Sequence, residues 1–323
     1  MPKEIVHWMV ARRTAQLLSS GPFGPALARC PKGLLVASVY HDVLFYLTGD
    51  HPETLKHLPH ALHGAEGQDT FALLSLQAEH LHASQARPLP TAFFVGLASH
   101  VFADAVLHPM VYHHTGNYYD ADPARRTAAV RRHRALESLM DMVAAGGPDA
   151  VRGQSLGELV DAMEEPLSQA SPPALLARLC GAGEAQAAAA VKDALSTYRT
   201  MQALCRSESL ASAAHALSPL LPAKAREIAA LFYAPQLWER RDALSGTIAY
   251  RNPATGREDG ATLAGLMERA ARQAADWCAA QAPEIIRSGR LAQPAPGPSL
   301  DMGLPAIPTS SAAHFAPRPL LAD

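Results

Sequence analysis

The feature that most constrains this fold is the segment of residues 93–109, FFVGLASHVFADAVLHP, where polar groups recur at every fourth position of an apolar stretch. These groups are His100, Asp104 and His108. At about 100° per residue, a helix places them within roughly 80° of one another, on one face that the flanking Phe, Val and Leu side chains would bury. A buried carboxylate beside two imidazoles needs compensation, which a metal ion would supply.

A second pair of metal-ligand residues follows the first segment. Thirteen of the fifteen histidines lie in the first 133 residues, and His133 precedes Glu137 by four positions. His100 and His108 would lie about 12 Å apart along the helix axis, too far to share one ion, whereas Asp104 between them could bridge two. Pro109 is expected to end or distort the helix at His108, which would let that side chain turn toward a different ion. The pattern favours a multinuclear cluster.

The hydrophobic pattern predicts an all-α fold. Helical periodicity dominates, and no series of alternating β-branched segments is present. Helices are expected to begin at Pro88 and Pro123 around a polar loop at 113–120, to recur over 155–245, and to end with one over 262–286 that follows a turn at 252–260. We expect one helical domain over 1–289. Residues 290–323, with seven prolines, are expected to form an irregular or disordered tail without chemistry.

Composition narrows the functional classes. The formal net charge of −2 provides no general attraction to nucleic acid or to anionic membranes. The N-terminus lacks the apolar region of a signal peptide, and the longest apolar run, 92–107, is shorter than the roughly 20 residues of a spanning helix. The cysteines, Cys30, Cys180, Cys205 and Cys278, form no CxxC pair and are typical of reduced thiols. These features predict a cytoplasmic protein without stable membrane insertion.

The order of the remaining candidates points to a family. His7-Trp8 comes first, then His41-Asp42 in VYHDVLFYL, then His63-Gly64 in HALHGAEGQDTF, followed by the two i, i+4 sets. This series, over roughly residues 5 to 140, resembles the zinc-dependent phospholipase C family, whose fold is shared with single-strand-specific fungal nucleases.

The resemblance implies three metal positions. The implied ligands, matched by order and local motif, are His7, Asp42, His63, His100, Asp104, His108, His133 and Glu137. One ion would be held by Asp42, His63, His100 and Asp104, a second by His108, His133 and Glu137, and a third by His7 and Asp104. Secreted relatives complete the third position with a mature N-terminal Trp, whereas Trp8 here is internal. Zinc is the implied metal, and His/carboxylate sites also accept Mn or Fe.

The ligand set predicts phosphodiester chemistry. Clustered divalent ions activate water and neutralise charge on phosphate oxygens, and Asp42 is the candidate general base. Among the arginines at 125, 126, 131, 132 and 134, a phosphate-binding role competes with a solvated helix face. The leading prediction is a phospholipase C-like hydrolase of a phospholipid or small phosphodiester. A nuclease, with nucleic acid the less favoured substrate, and a non-catalytic helical module braced by metal are the alternatives.

Three local ambiguities accompany these predictions. His41 competes with Asp42, and His60 with His63, because a small shift of a helix start would turn either neighbour toward the cluster. Residues 153–157 match the G-x-S-x-G nucleophile pattern, but that turn requires a preceding strand. Ser155, with Glu158 three residues later, instead predicts a helix start.

Overall fold

The computed structural model describes residues 3–85, 87–163, 165–292 and 295–321 as a predominantly helical fold. The α-helices are α1 (Glu4–Leu17), α2 (Gly24–Arg29), α3 (Pro31–Ala37), α4 (Glu53–Leu62), α5 (Ala72–Ala83), α6 (Pro88–Thr115), α7 (Pro123–Ala145), α8 (Pro148–Arg152), α9 (Leu156–Asp161), α10 (Leu167–Ala170), α11 (Pro173–Cys180), α12 (Glu184–Cys205), α13 (Glu208–Leu217), α14 (Ala223–Ala229), α15 (Pro235–Trp238) and α16 (Leu263–Ser288). Short 3₁₀ helices cover Tyr40–Tyr46, Ser218–Leu220, Arg241–Leu244 and Thr309–Ser311. Two strands, β1 (Ile248–Arg251) and β2 (Glu258–Ala261), pair antiparallel.

Helix α6 forms the centre of the core, where α1, α2, α3, α5 and α16 pack around it. Gly96 allows α3 to lie close to α6, because a Cβ at that position would lie 2.4 Å from the Leu34 carbonyl oxygen of α3. By length and hydropathy, α6 could cross a membrane, but 89% of its apolar window is buried inside the protein. Its apolar faces therefore contact other helices of the same chain.

The predicted helix starts are confirmed. Helix α6 begins at Pro88 and α7 at Pro123, where the Asp122 carboxylate caps two main-chain N–H groups of the first turn. The Thr262 hydroxyl caps α16, and the Ser155 hydroxyl accepts a hydrogen bond of 3.2 Å from the Glu158 N–H at the start of α9. Ser155 is therefore a helix cap, as the sequence indicated.

The fold is all-α as predicted, except for one β-hairpin that the sequence did not reveal. Strands β1 and β2 enclose residues 252–257, so the last three residues of the turn predicted at 252–260 belong to β2, and Ile248 is paired to Ala261. Each strand has only four residues, too few for alternation to be recognised against the surrounding helical pattern. The Tyr250 hydroxyl donates to Asp259 Oδ2 at 2.9 Å and so links the two strands.

Pro109 does not end α6, which was one of the two effects predicted for it. The helix continues to Thr115, so His113 and His114, predicted in a loop, belong to its last turn, and the loop begins at Gly116. Proline removes only one main-chain hydrogen bond, that of the Ala105 carbonyl. Packing on several sides supports the helix through this position.

The C-terminal segment, which was expected to be irregular or disordered, packs onto the helical fold. Its described residues 295–321 are irregular, but Leu300 and Met302 are fully buried. Main-chain hydrogen bonds join it to the loop after α4, with Thr309 N donating to Ala65 O at 2.9 Å. The prolines disfavour regular structure in this segment, but the segment still packs against α6, where Gly303 lies close to the Ala105 carbonyl oxygen.

Candidate metal centre

Asp104 lies at the middle of a fully buried cluster of imidazoles. Its Oδ1 atom is 3.3 Å from His7 Nε2 and 3.8 Å from His108 Nε2. Its Oδ2 atom is 3.2 Å from His100 Nε2 and 3.6 Å from His63 Nε2. The two carboxylate oxygens thus face different sets of imidazoles, the arrangement that a bridging carboxylate requires.

The first donor group comprises Asp42, His63, His100 and Asp104, and one ligand atom of each lies within 4.8 Å of the others. Asp42 stands on the 3₁₀ helix after α3, with Oδ1 3.2 Å from His63 Nε2 and 3.6 Å from His100 Nε2. Two imidazoles and two carboxylates at this spacing form a four-ligand set suitable for Zn²⁺.

The second donor group comprises His108, His133 and Glu137, also within 4.8 Å and buried. Helix α7 contributes His133 and Glu137, whose Nε2 and Oε1 atoms are 3.0 Å apart. His108 Nε2 approaches the same oxygen at 3.5 Å from α6. A zinc ion held by these three residues would keep one position for water or substrate, as is usual for catalytic zinc.

Main-chain carbonyls orient three of the histidines. Nδ1 of His63 lies 2.7 Å from Pro59 O, Nδ1 of His100 lies 2.8 Å from Ser38 O, and Nδ1 of His108 lies 2.8 Å from Leu300 O. A carbonyl only accepts, so each Nδ1 carries the proton and each Nε2 presents its lone pair to the cluster. Metal-ligating histidines are typically held in this way.

The donor atoms fit a divalent cation. Both Asp104 oxygens and the Nε2 atoms of His7, His100 and His108 are buried and make no hydrogen bond. Such atoms facing one another in the interior would be costly, and a cation among them offsets that cost.

The pKa values of the cluster favour the metal-binding protonation states. Burial by itself would raise the pKa of Asp104, but the surrounding imidazoles, that of His108 most strongly, hold it well below its usual range. Burial likewise opposes ionisation of Glu137, yet His133 lowers the pKa of that carboxyl. Burial lowers the pKa of His133 to about 4, against the opposing charge of Glu137. The carboxylates are therefore ionised and His133 is neutral near pH 7.

His7 reaches the cluster from α1. Its ring stacks on His100, with centroids 4.2 Å apart and planes 9° apart. Helix α1 is held in place by Asp141 of α7, whose carboxylate accepts hydrogen bonds from Ile5 N at 3.1 Å and Val6 N at 2.8 Å. Asp141 follows Glu137 by four residues and so continues the four-residue spacing of His133 and Glu137, although it was not among the predicted site residues.

His41 and His60, the alternatives to Asp42 and His63, lie outside the two donor groups. His41 is fully buried and stacks on His100 with a centroid distance of 4.6 Å, but it belongs to neither donor group. His60 is exposed at the rim of the adjoining cavity. Asp42 and His63, by contrast, lie inside the first donor group.

A cavity of about 210 Å³ adjoins both donor groups. Asp42, His63, His133 and Glu137 form part of its wall. Much of the remainder is aromatic, contributed by Phe45, Tyr46, Tyr112, Tyr118, Tyr119 and Tyr198. The cavity thus combines a metal-compatible wall with surfaces that pack against apolar or planar groups.

Charged side chains of both signs complete the cavity. Lys3 and Arg134 are the cations in its wall, and Glu4 and Asp301 are the additional acids. Within the arginine series, only Arg134 faces this cavity, whereas Arg131 and Arg132 line a separate cavity on another side of α7. Asp301 was not among the predicted site residues, because the C-terminal segment was predicted to carry no chemistry.

Comparison with known proteins supplies a family. The family model described as zinc dependent phospholipase C matches residues 6–166, about half of the chain. The matched region contains all eight predicted ligands, from His7 to Glu137. No curated protein and no solved structure was found to match. Since an ordered donor series and the family match coincide on the same helices, the chain belongs to the zinc-dependent phospholipase C family.

Proposed function

We propose that this protein is a zinc-dependent phosphodiester hydrolase that cleaves a phospholipid or related phosphodiester on the phosphate side, as phospholipase C does. Family membership and the two buried donor groups support a metal-dependent hydrolase. The proposal rests mainly on the geometry of Asp104, because its two carboxylate oxygens face separate sets of imidazoles beside one cavity.

The ligand assignment follows the two donor groups. Asp42, His63, His100 and Asp104 would hold one ion, and His108, His133 and Glu137 a second. His7, 3.3 Å from Asp104 Oδ1, would hold a third with that carboxylate. Zinc bound in this way supplies a lowered pKa for water and positive charge for phosphate oxygens.

The chain's own groups have distinct tasks in this proposal. Asp42 is the proposed general base, because it lies in the cavity wall where its carboxylate can accept a proton from attacking water. Lys3 and Arg134 are placed to neutralise phosphate oxygens, for which a guanidinium can offer two parallel N–H donors. The aromatic wall excludes water and packs against the organic part of the substrate.

The cavity favours a lipid or small diester over a polynucleotide. Strand-binding proteins use a basic groove that follows the phosphate backbone. Here the cavity contains acids as well as cations, and the net charge of the chain is −2. Its aromatic side chains could also stack on bases, so single-stranded DNA belongs in the substrate test.

Metal stoichiometry provides the first test. We expect the purified protein to carry at least two equivalents of zinc, measured by elemental analysis, and Asp104→Ala to lose more than one, because Asp104 contributes to more than one position. Asp149→Ala is the control, since that side chain is 91% exposed on α8. Full metal content in Asp104→Ala would refute the bridging role.

Hydrolysis assays provide the second test. The zinc-loaded protein is incubated with phosphatidylcholine, a chromogenic phosphodiester and single-stranded DNA. Release of a phosphorylated head group supports the proposal, and cleavage of DNA alone would replace it with a nuclease. No turnover of any of the three by fully loaded protein would instead indicate a metal-braced interaction module.

A further inference from the structure

The C-terminal segment contacts both donor groups through one residue. The Leu300 N–H donates to the His63 carbonyl at 3.0 Å, and the Leu300 carbonyl accepts from His108 Nδ1 at 2.8 Å. Leu300 is fully buried, so water does not compete for either bond. One peptide segment, distant in sequence, thus links a histidine of each group.

A turn at Ser299–Gly303 holds Leu300 in this position. Gly303 N donates to Ser299 O at 2.8 Å, and Gly303 has a φ of +71°. A Cβ on Gly303 would lie 2.4 Å from the Ala105 carbonyl oxygen of α6. In a regular helix the Ala105 carbonyl would accept a hydrogen bond from the N–H of residue 109, but Pro109 has no N–H. The C-terminal segment therefore contacts α6 at the point where this helical hydrogen bond is missing.

Asp301 adds a charge to the same contact. Its Oδ1 lies 3.8 Å from His108 Nδ1, and its Oδ2 accepts from the Thr309 hydroxyl at 2.5 Å. The side chain is almost fully buried and also borders the cavity. A carboxylate on the Nδ1 side of an imidazole raises the basicity of its Nε2 as a metal ligand.

We propose that the C-terminal segment 298–309 supports metal binding. The Leu300 carbonyl and Asp301 position His108 and strengthen its bond to the ion of the second donor group. These are positioning residues and not ligands. This inference rests on the proposed function, because it assumes that the second donor group binds metal. It extends the site beyond the family match, which ends at residue 166.

Zinc affinity provides the test, with Zn²⁺ titrated into metal-free full-length protein in competition with a chromogenic chelator. Gly303→Ala must displace the turn, because the added Cβ has no room. We expect this variant to bind one zinc ion with an affinity about 10- to 100-fold lower, which is the range typical for the loss of a group that orients a metal ligand. That ion should be the one that His133→Ala removes. Asp301→Asn, which preserves the shape of the side chain, should lower the affinity for the same zinc ion by a smaller factor.

Gly289→Ala is the matched control. Gly289 also has a positive φ, +70°, and its added Cβ would crowd His82, but it caps α16 and touches neither donor group. It should bind zinc like the wild type. A histidine Nδ1–H resonance that disappears in Gly303→Ala and remains in Gly289→Ala would identify the lost contact to Leu300.

The outcomes separate the inference from the function it rests on. If Gly303→Ala and Asp301→Asn both keep every zinc affinity within twofold of wild type, the positioning role is overturned while the metal centre stands. If the wild type itself binds no zinc at the second group, the proposed function fails at that point and the inference fails with it.

Discussion

Asp141→Asn tests how the helix that carries His7 is anchored. The Asp141 carboxylate caps α1 and lies beside Glu4, and the Tyr233 hydroxyl is 2.7 Å from Asp141 Oδ2 and 2.9 Å from Glu4 Oε2. One hydroxyl proton cannot serve two carboxylates. Burial and the neighbouring Glu4 raise the pKa of Asp141 to about 7.

The pKa shift sets the size of the effect. The ordinary pKa of the carboxyl is 3.8, so the folded value of about 7 is higher by roughly 3 units. At about 1.4 kcal/mol per unit, ionising this buried group costs about 4 kcal/mol. Because the folded state favours the protonated carboxyl, the contribution of Asp141 to the free energy of unfolding is complete below pH 3.8. This contribution is lost as the pH rises to about 7. Asparagine cannot ionise and lacks this dependence.

Urea unfolding at several pH values measures the effect. We expect the free energy of unfolding of Asp141→Asn, minus that of the metal-free wild type, to rise by about 4 kcal/mol between pH 4 and pH 8. The subtraction cancels the titration of groups that do not interact with Asp141. A difference that stays constant within about 1 kcal/mol over this range would refute the raised pKa of Asp141.

Two further predictions concern the same helices. His133 has a lowered pKa of about 4, so the metal-free protein should lose stability as the pH falls from 6.5 toward 4, and His133→Gln should lose less over that range, as measured by urea unfolding. Asp122→Ala removes the cap of α7 and should lower the free energy of unfolding by about 1 kcal/mol, whereas a change in zinc affinity without a change in stability would contradict a purely capping role.

The sequence by itself determined the local features of this protein. The four-residue spacing of His100, Asp104 and His108, and of His133 and Glu137, places each set on one helix face whatever surrounds it. The starts of α6, α7 and α16 were equally readable, because proline, aspartate and threonine caps act within one turn. The all-α class followed from the same short-range periodicity.

Only the tertiary structure decided which neighbours face the cluster. The first donor group contains Asp42 and His63 and not His41 and His60. This outcome depends on how the 3₁₀ helix Tyr40–Tyr46 and the end of α4 are rotated relative to α6. Periodicity cannot supply that phase, because a one-residue shift rotates a helix by about 100°.

Long-range contacts also decided the surroundings of the metal centre. Packing around α6 carries the helix through Pro109, Asp141 caps α1 across the fold, and Leu300 reaches His108 from 192 positions along the chain. The contacts of Asp141 and Leu300 involve main-chain groups, whose partners no side-chain pattern records. The residue types of the donors were therefore readable locally, whereas the orientation of His100 and His108 arose only when distant segments supplied the carbonyls that hold them.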